Sequence, residues 1–176
     1  MFLIVYFSDM YPYLIFVLSF FTFSWATYTV DQLFVFQTPI EMSFNSEDAI
    51  TSLGELKINS YVSNSESDTT LILKLSYYTY PDEVLEMLDS MPDLVDTLLA
   101  SVASNIAVDN GGKVQYNTTD SDVDNKQLFR IKIDHSITKG MARFYKNHMI
   151  IQLAQGDEKT TLSNDCSNYF KRLRYL

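Results

Sequence analysis

Alternating apolar and polar positions predict β-strands in the part of the chain that follows residue 26. In GELKINSYVS, Leu56, Ile58 and Val62 alternate with polar residues, a period of two typical of a half-buried strand. A shorter strand is predicted at Leu33–Phe36, before Pro39. TTLILKLSYYTY is apolar on both faces, with Leu71, Leu73, Leu75 and Tyr77 on one and Ile72, Tyr78 and Tyr80 on the other. This strand is therefore expected near the centre of a sheet, covered on both sides.

A helical period follows Pro81, which ends the preceding strand. Ser90 with Pro92 and Asp93 predicts the start of a second helix in this region, and Asn110-Gly111-Gly112 predicts its end. Its apolar stripe consists of Leu94, Val95, Leu98, Leu99, Val102, Ala103 and Ile106. That stripe is wide enough for the helix to lie on a sheet.

Strand patterns return after the helix and end in a final helix. One strand resumes at 113–116, and the next alternates Phe129, Ile131 and Ile133 with polar residues. GMARFYKNHMIIQLA predicts two strands joined at Lys146-Asn147, with the asparagine in the left-handed conformation. Ser163 is expected to cap a helix that buries Cys166, Tyr169, Phe170 and Leu173 on one face. This order predicts an α+β fold with a largely antiparallel β-sheet flanked by helices.

The N-terminal segment allows three interpretations. Its uninterrupted apolar run, Tyr13–Phe23, is shorter than the ~20 residues that a helix needs to cross a bilayer, which suits a cleaved signal peptide. Ser24-Trp25-Ala26 provides the small residues that a signal peptidase reads, and translation from Met10 would remove Asp9. The alternatives are an uncleaved anchor over 2–26, or a core or peripheral helix. We therefore expect a signal peptide or membrane anchor over residues 1–26 and one domain over residues 27–176.

Five segments together resemble the PsbP-like family. They are FVFQTP near the start of the domain, YYTYP, NGGKV, the hairpin MARFYKNHMIIQLA and the final CSNYFKRL. The similarity covers nearly everything from about Asp31 onward. This family includes an extrinsic subunit of photosystem II, a nuclear-import factor that binds the GTPase Ran, and small exported bacterial proteins of unassigned role. The resemblance implies an α/β/α sandwich without a common active site that acts as a docking module.

Charge is distributed unevenly along the chain. The net charge of −9 disfavours a general attraction to nucleic acid or anionic membranes. Residues 1–125 carry 18 acidic side chains and three lysines, whereas residues 126–176 carry ten basic and four acidic side chains. The two parts either neutralise each other on folding or leave a polarised surface with a basic patch.

Few residues are suited to metal binding or catalysis, and no cofactor or metal is expected. Cys166 is the single cysteine, so no internal disulfide can form, and it is predicted to be a buried, inert thiol. Asp120, Asp122 and Asp124 imitate the start of an EF-hand loop, but its sixth and twelfth positions are Asn125 and Ile131. This segment is therefore either a weak site for a divalent cation or a solvated loop. His135 is predicted to end the buried face of its strand, and His148 to be exposed.

Two candidate binding surfaces follow from the predicted strands. The first is basic and contains Arg130, Lys132, Arg143 and Tyr145, which would either be neutralised or dock an acidic partner. The second is a pocket between helix and sheet, lined by Tyr77, Tyr78 and Tyr80. We expect a non-enzymatic, exported or envelope-associated binding domain that acts through protein contacts. A small-molecule or lipid carrier that uses the pocket is the alternative.

Overall fold

The computed structural model describes residues 25–51, 54–63, 71–119 and 125–176, which form the α+β fold expected from the sequence. The first strands are β1 (Ala26–Val30), β2 (Phe34–Thr38), β3 (Met42–Thr51), β4 (Gly54–Ser63) and β5 (Ile72–Thr79). Two helices follow, α1 (Asp82–Ser90) and α2 (Pro92–Asp109). The remaining elements are β6 (Lys113–Thr119), β7 (Lys126–Ile133), β8 (Ser136–Tyr145), β9 (His148–Gly156), α3 (Glu158–Thr161), α4 (Asn164–Lys171) and β10 (Arg174–Tyr175).

The strands form a large and a small antiparallel sheet. The large sheet has seven strands in the order β3-β4-β5-β9-β8-β7-β6, and the small one has the order β1-β2-β10. Every strand pair described in either sheet is antiparallel. The third position of β5 in the large sheet confirms that this doubly apolar strand is an interior strand.

Helices α1 and α2 cover one face of the large sheet. The predicted stripe of α2 is confirmed, because Leu99, Val102 and Ala103 are buried against strand residues such as Phe129 and Ile131. Its predicted end is also confirmed. Gly111 has a φ of 62°, and the Gly112 amide donates to the Ala107 carbonyl at 2.7 Å, the bond pattern of a Schellman motif.

The predicted start of α2 is only half right. Pro92 occupies the first turn, as expected, but Met91 is the N-cap residue and no side chain caps this end of the helix. Ser90 instead donates from its hydroxyl to the Met87 carbonyl at 2.8 Å. Because Ser90 still belongs to α1, its side chain bonds back to its own helix rather than forward.

The small sheet and α4 cover the opposite face. Phe34 and Phe36 of β2 are fully buried there, against β5 and β9 residues such as Leu75 and Ile150. The hydroxyl of Tyr169 in α4 donates to the Lys74 carbonyl at 2.8 Å. Ser163 accepts a hydrogen bond from the Cys166 amide, which confirms the predicted cap of α4.

The β8–β9 turn is where the sequence predicted it, but its left-handed residue is Lys146, with a φ of 53°, and not the asparagine. The β7–β8 turn contains a second left-handed residue, Asp134, with a φ of 48°. Because the chain reverses there, His135 leaves the strand and is exposed, so the prediction of a buried His135 is wrong. The opposite error applies to His148, which is only 7% exposed.

The start of the folded region lies close to the predicted domain boundary. β1 begins at Ala26, where Ala26 pairs with Thr38, and the Arg172 guanidinium stacks over the Trp25 ring at 4.1 Å. No helix within the described residues is long and apolar enough to cross a membrane. Residues 1–24 of the predicted leader, and Asp120, Asp122 and Asp124 of the predicted divalent site, lie outside the described residues.

Candidate functional site

One face of the three strands at the end of the large sheet is rich in cations. Residues paired across an antiparallel ladder point to the same side, and here that side faces away from α2. We call this surface the basic face and define it by Lys113 of β6, Lys126, Arg130 and Lys132 of β7, and Lys139 and Arg143 of β8. The sequence-predicted residues Arg130, Lys132 and Arg143 all belong to it.

The strand register differs in one respect from the predicted cluster. Arg130 lies opposite Lys139, and Arg143 lies opposite Lys126. Arg130 and Arg143 are therefore separated by about four residues along the strands, or roughly 13 Å. The two lysines that fill this interval, Lys126 and Lys139, were missed, although their strand parity would have identified them.

Arg130 lies at the end of the basic face that is covered by the C-terminal segment. Its guanidinium forms an ion pair with Glu158 of α3 at 3.0 Å. The side chain of Arg130 is 19% exposed and that of Glu158 is 72% exposed. The Arg130 Nε atom is buried and has no hydrogen-bond partner among the described residues. Lys132, two residues further along β7, is exposed.

Arg143 and Tyr145 contact the C-terminal tail instead. The Arg143 guanidinium stacks over the Tyr175 ring at 4.3 Å, and the Tyr175 ring lies 4.1 Å from that of Tyr145. The Tyr145 hydroxyl donates to the Leu176 carbonyl at 3.3 Å. Burial raises the pKa of the Tyr175 hydroxyl, although the nearby Arg143 charge opposes the shift. Of the four predicted residues, only Arg143 and Tyr145 are therefore brought together here, by Tyr175, which was not predicted from the sequence.

Three acidic elements of residues 1–125, the helices α1 and α2 and the strand β3, lie away from the basic face. Helices α1 and α2 carry seven acidic and no basic residues, and they pack on the other side of the sheet. Strand β3, with Glu47 and Asp48, forms the opposite edge. Six strand spacings separate the two edges, or about 29 Å, which is well beyond the ~8 Å screening length at physiological salt. Neutralisation by β3, α1 and α2 is therefore weak at this face.

A groove between α2 and the large sheet is the second candidate site. Its first compartment has a volume of about 270 Å³ and is lined mainly by apolar and aromatic side chains. Tyr78 and Tyr80 line it, as the sequence analysis expected. Tyr77 does not, because it points to the opposite face, where its hydroxyl donates to Asp31 Oδ2 at 2.9 Å. Burial raises the pKa of Tyr80 to about 12, so this ring is neutral at ordinary pH.

A second compartment of about 390 Å³ lies beside the first, near the C-terminal end of α2. The two compartments share four lining residues, Tyr78, Ile106, Asp109 and Ile151. Lys74, Thr138 and Gln155 add polar groups to the second compartment. These residues were not predicted from the sequence, because the pairing of β5 with β9 joins positions as distant in the chain as Ile72 and Gln155.

Groups with catalytic potential are separated in the fold. Cys166 is fully buried in α4, where burial raises the pKa of its thiol, so the predicted inert thiol is confirmed as a buried one. His148 lies on the face of the large sheet that the small sheet covers, beside Tyr77, with 6.3 Å between the ring centroids. Within the described ranges, no group of three or more His, Cys, Asp or Glu residues is arranged to hold a metal ion.

The comparisons with known proteins add no assignment. No protein-family model matches this chain, and no curated protein is significantly similar to it.

Proposed function

We propose that this chain is an exported, non-enzymatic binding or accessory domain that docks an acidic protein partner on its basic face. The observation that carries this proposal is the placement of six cations on one side of three adjacent strands. The acidic helices lie on the other side of the sheet. Such a surface raises the rate of encounter with an acidic partner and orients that partner.

The proposal includes membership of the PsbP-like family and an α/β/α sandwich. Two features support this interpretation. Helices α1 and α2 form one outer layer, and α4 with the small sheet forms the other. The chain order of strands, long helix, strands and terminal helix matches the order on which the resemblance was based. An experimental structure in which α4 packed away from the sheet would argue against the sandwich.

Location outside the cytoplasm belongs to the same proposal, with residues 2–26 as the leader or tether. N-terminal sequencing of the protein from its native source tests it. A chain that begins at Thr27 would indicate a cleaved signal peptide. A chain that begins at Met1 or Met10 and sediments with membranes would indicate an anchor. A soluble cytoplasmic protein that keeps its N-terminus would contradict both.

The docking proposal is tested by a triple variant, Arg130→Ala/Lys132→Ala/Arg143→Ala. Binding of a fluorescent oligoglutamate peptide to the full chain is measured by anisotropy at low and moderate salt. Surface ion pairs contribute roughly 0.2–1 kcal/mol each, and Arg130 and Arg143 are partly covered by Glu158 and Tyr175, so we expect the triple variant to bind about three- to tenfold more weakly. The wild-type affinity should also fall with added salt.

A matched control is available on the opposite face. Asp82→Ala/Glu83→Ala/Glu86→Ala removes three exposed charges of α1 and should leave peptide binding as strong as in the wild type. Lys132→Glu is a second test, because Lys132 is exposed and is not part of the core. Unchanged binding by both Lys132→Glu and a folded triple variant would reject the docking proposal.

The second candidate function, a carrier of small apolar molecules, is favoured by the groove. A closed, filled interface between α2 and the sheet would argue against a carrier, but the first compartment alone has a volume of about 270 Å³. This is close to the lower end of ligand-pocket volumes, which begin at about 300 Å³.

A further inference from the structure

The groove under α2 is apolar at one end and partly polar at the other. The first compartment contains Leu56, Val102 and Met149 among its lining residues. The second contains Thr138 of β8 and Gln155 of β9, which lie opposite each other in the ladder. Because the compartments adjoin at Tyr78 and Ile151, a single elongated molecule can contact both. This layout matches a molecule with an aliphatic body and one polar end.

A buried hydroxyl marks the polar end. Thr138 is only 3% exposed, and its Oγ1 atom is buried with no hydrogen-bond partner among the described residues. Thr138 pairs with Ile131, whose side chain belongs to the core beneath α2, so the hydroxyl is on the groove side of the sheet. A buried hydroxyl costs free energy unless a partner satisfies it, and a ligand atom can be that partner.

The charges around the second compartment select against an ionic end group. Lys74 contributes a cation from β5, and Asp109 contributes a carboxylate from the last turn of α2. The carbonyl end of α2 adds partial negative charge at the same place. An anionic group would be repelled by Asp109 and by the carbonyl end of α2. A cationic group would be repelled by Lys74. An uncharged polar group avoids both repulsions.

We infer that the groove binds an uncharged amphiphile, whose aliphatic body lies in the first compartment and whose hydroxyl or carbonyl group hydrogen-bonds to Thr138 Oγ1. This inference rests on the second candidate function, the carrier. It specifies the ligand class and the residue that selects it. It is independent of the basic face, which lies on the other side of the sheet.

Three probes with the same ten-carbon tail test the ligand class. They are 1-decanol, kept below its aqueous solubility, and decanoate and decyltrimethylammonium, kept below their micelle concentrations. Each is titrated into the full chain and followed by calorimetry. We expect decanol to bind at least about tenfold more tightly than either ion. Preferential binding of an ion would overturn the proposed class, because it would show that one of the two charges dominates.

Thr138→Val and Thr138→Ser test the contact itself. Thr138→Val replaces the hydroxyl with a methyl group of similar size, so it should raise the melting temperature of the ligand-free protein. It should also weaken decanol binding about fivefold, the effect of one lost neutral hydrogen bond. Thr138→Ser keeps the hydroxyl and should retain the wild-type preference for decanol over the two ions.

These experiments distinguish failure of the carrier function from failure of the specific role of Thr138. Failure of all three probes to bind up to the solubility limit of decanol and the micelle concentrations of the two ions would overturn the carrier function together with this inference. Equal binding of the three probes, with no effect of Thr138→Val, would leave a carrier but overturn the role of Thr138. If Thr138→Val does not fold, Thr138→Ala provides the same comparison.

Discussion

The β6–β8 end of the seven-stranded sheet and its β5–β9 centre are covered on opposite faces. At the β6–β8 end, α2 packs on one face and the basic face lies on the other. At the β5–β9 centre, the small sheet packs on the second face, and the groove lies on the other face, beneath α2. The covering layers are therefore staggered. The basic face lies behind the strands that α2 covers, partly beneath α3 and the C-terminal tail. The groove lies between α2 and the sheet, behind the strands that the small sheet covers.

The two layers also differ in how completely they pack. The small sheet fills its interface with rings: Tyr28 stacks on Phe36 at 5.0 Å, and Phe36 meets Tyr61 edge-on at 5.2 Å. Helix α2 presents smaller side chains to the sheet, including Ala103 and Ala107. Large rings leave little free volume, whereas a narrow helix with small residues cannot cover seven strands. The groove is a consequence of this difference.

The largest predicted loss of stability comes from a comparison of one buried side chain in each of these two layers. Phe36→Ala removes a fully buried ring and should lower the free energy of unfolding by about 4 kcal/mol. Ile106→Ala should cost only about 1–2 kcal/mol, because Ile106 is partly buried and borders the groove. Urea denaturation of both variants measures the difference. Equal losses would show that the helix layer is packed as tightly as the aromatic layer.

Gly140 tests the packing beneath α2, where the groove ends. A Cβ atom at this position would lie 2.0 Å from the Phe129 ring, in the core on the helix side of the sheet. Gly140→Ala should therefore destabilise the fold by about 1–3 kcal/mol through overpacking. Gly111→Ala is the control, because it has open space and should cost only about 1 kcal/mol through its positive φ. A smaller loss for Gly140→Ala than for this control would mean that Phe129 can move aside.

Local patterns predicted most elements of this fold but not how the two faces are covered. The apolar residues of β5 were assigned to the correct faces because alternation is a property of the chain alone. Strand β1 was missed, since it follows the apolar leader and contributes only five residues. The stagger of the layers depends on the β5–β9 pairing and on β10 joining β2, which are long-range contacts with no local signature.

The same limit explains the errors at the candidate sites. Tyr77 was grouped with Tyr78 and Tyr80 as one aromatic cluster, although neighbouring residues on a strand point to opposite faces. The exposure of His148 was inferred from its place beside a turn. In the structure, the Asp31 loop between β1 and β2 closes over this end of the sheet. A loop more than 100 residues away in sequence thus decides the environment of this histidine.

A smaller loss of stability should distinguish Ser163, which caps α4, from Ser90, which was predicted at the start of α2 but does not cap it. Ser163→Ala removes the side chain that accepts from the Cys166 amide and should cost about 1 kcal/mol. Ser90→Ala is the matched control, since Ser90 is exposed and only bonds back to Met87, and its loss should be a few tenths of a kcal/mol. Thermal denaturation of the two variants at one pH compares them directly. A loss for Ser90→Ala as large as that for Ser163→Ala would restore Ser90 as a structural cap.

The smallest predicted effect is a pH dependence of stability that arises from His148, on the face of the large sheet beneath the small sheet. Burial lowers the pKa of His148 below its ordinary value of 6.5, the Asp31 charge partly opposes this shift, and Lys146 adds to it. The unfolded chain therefore binds a proton more readily than the folded one. This contribution to stability is present above about pH 6.5 and is lost as the pH falls below that value.

A neutral substitute identifies His148 as the source of that loss. Stability is measured by urea denaturation between pH 7.5 and pH 5 for the wild type, His148→Gln and His135→Gln. The wild type should lose more stability over this range than His148→Gln, because glutamine has no proton to gain. His135→Gln removes the other, exposed histidine and keeps His148, so its profile should still show the loss. If His148→Gln retained the full acid sensitivity, the small sheet would not be sealing this end of the molecule from water, and the contrast between the two layers would fail there.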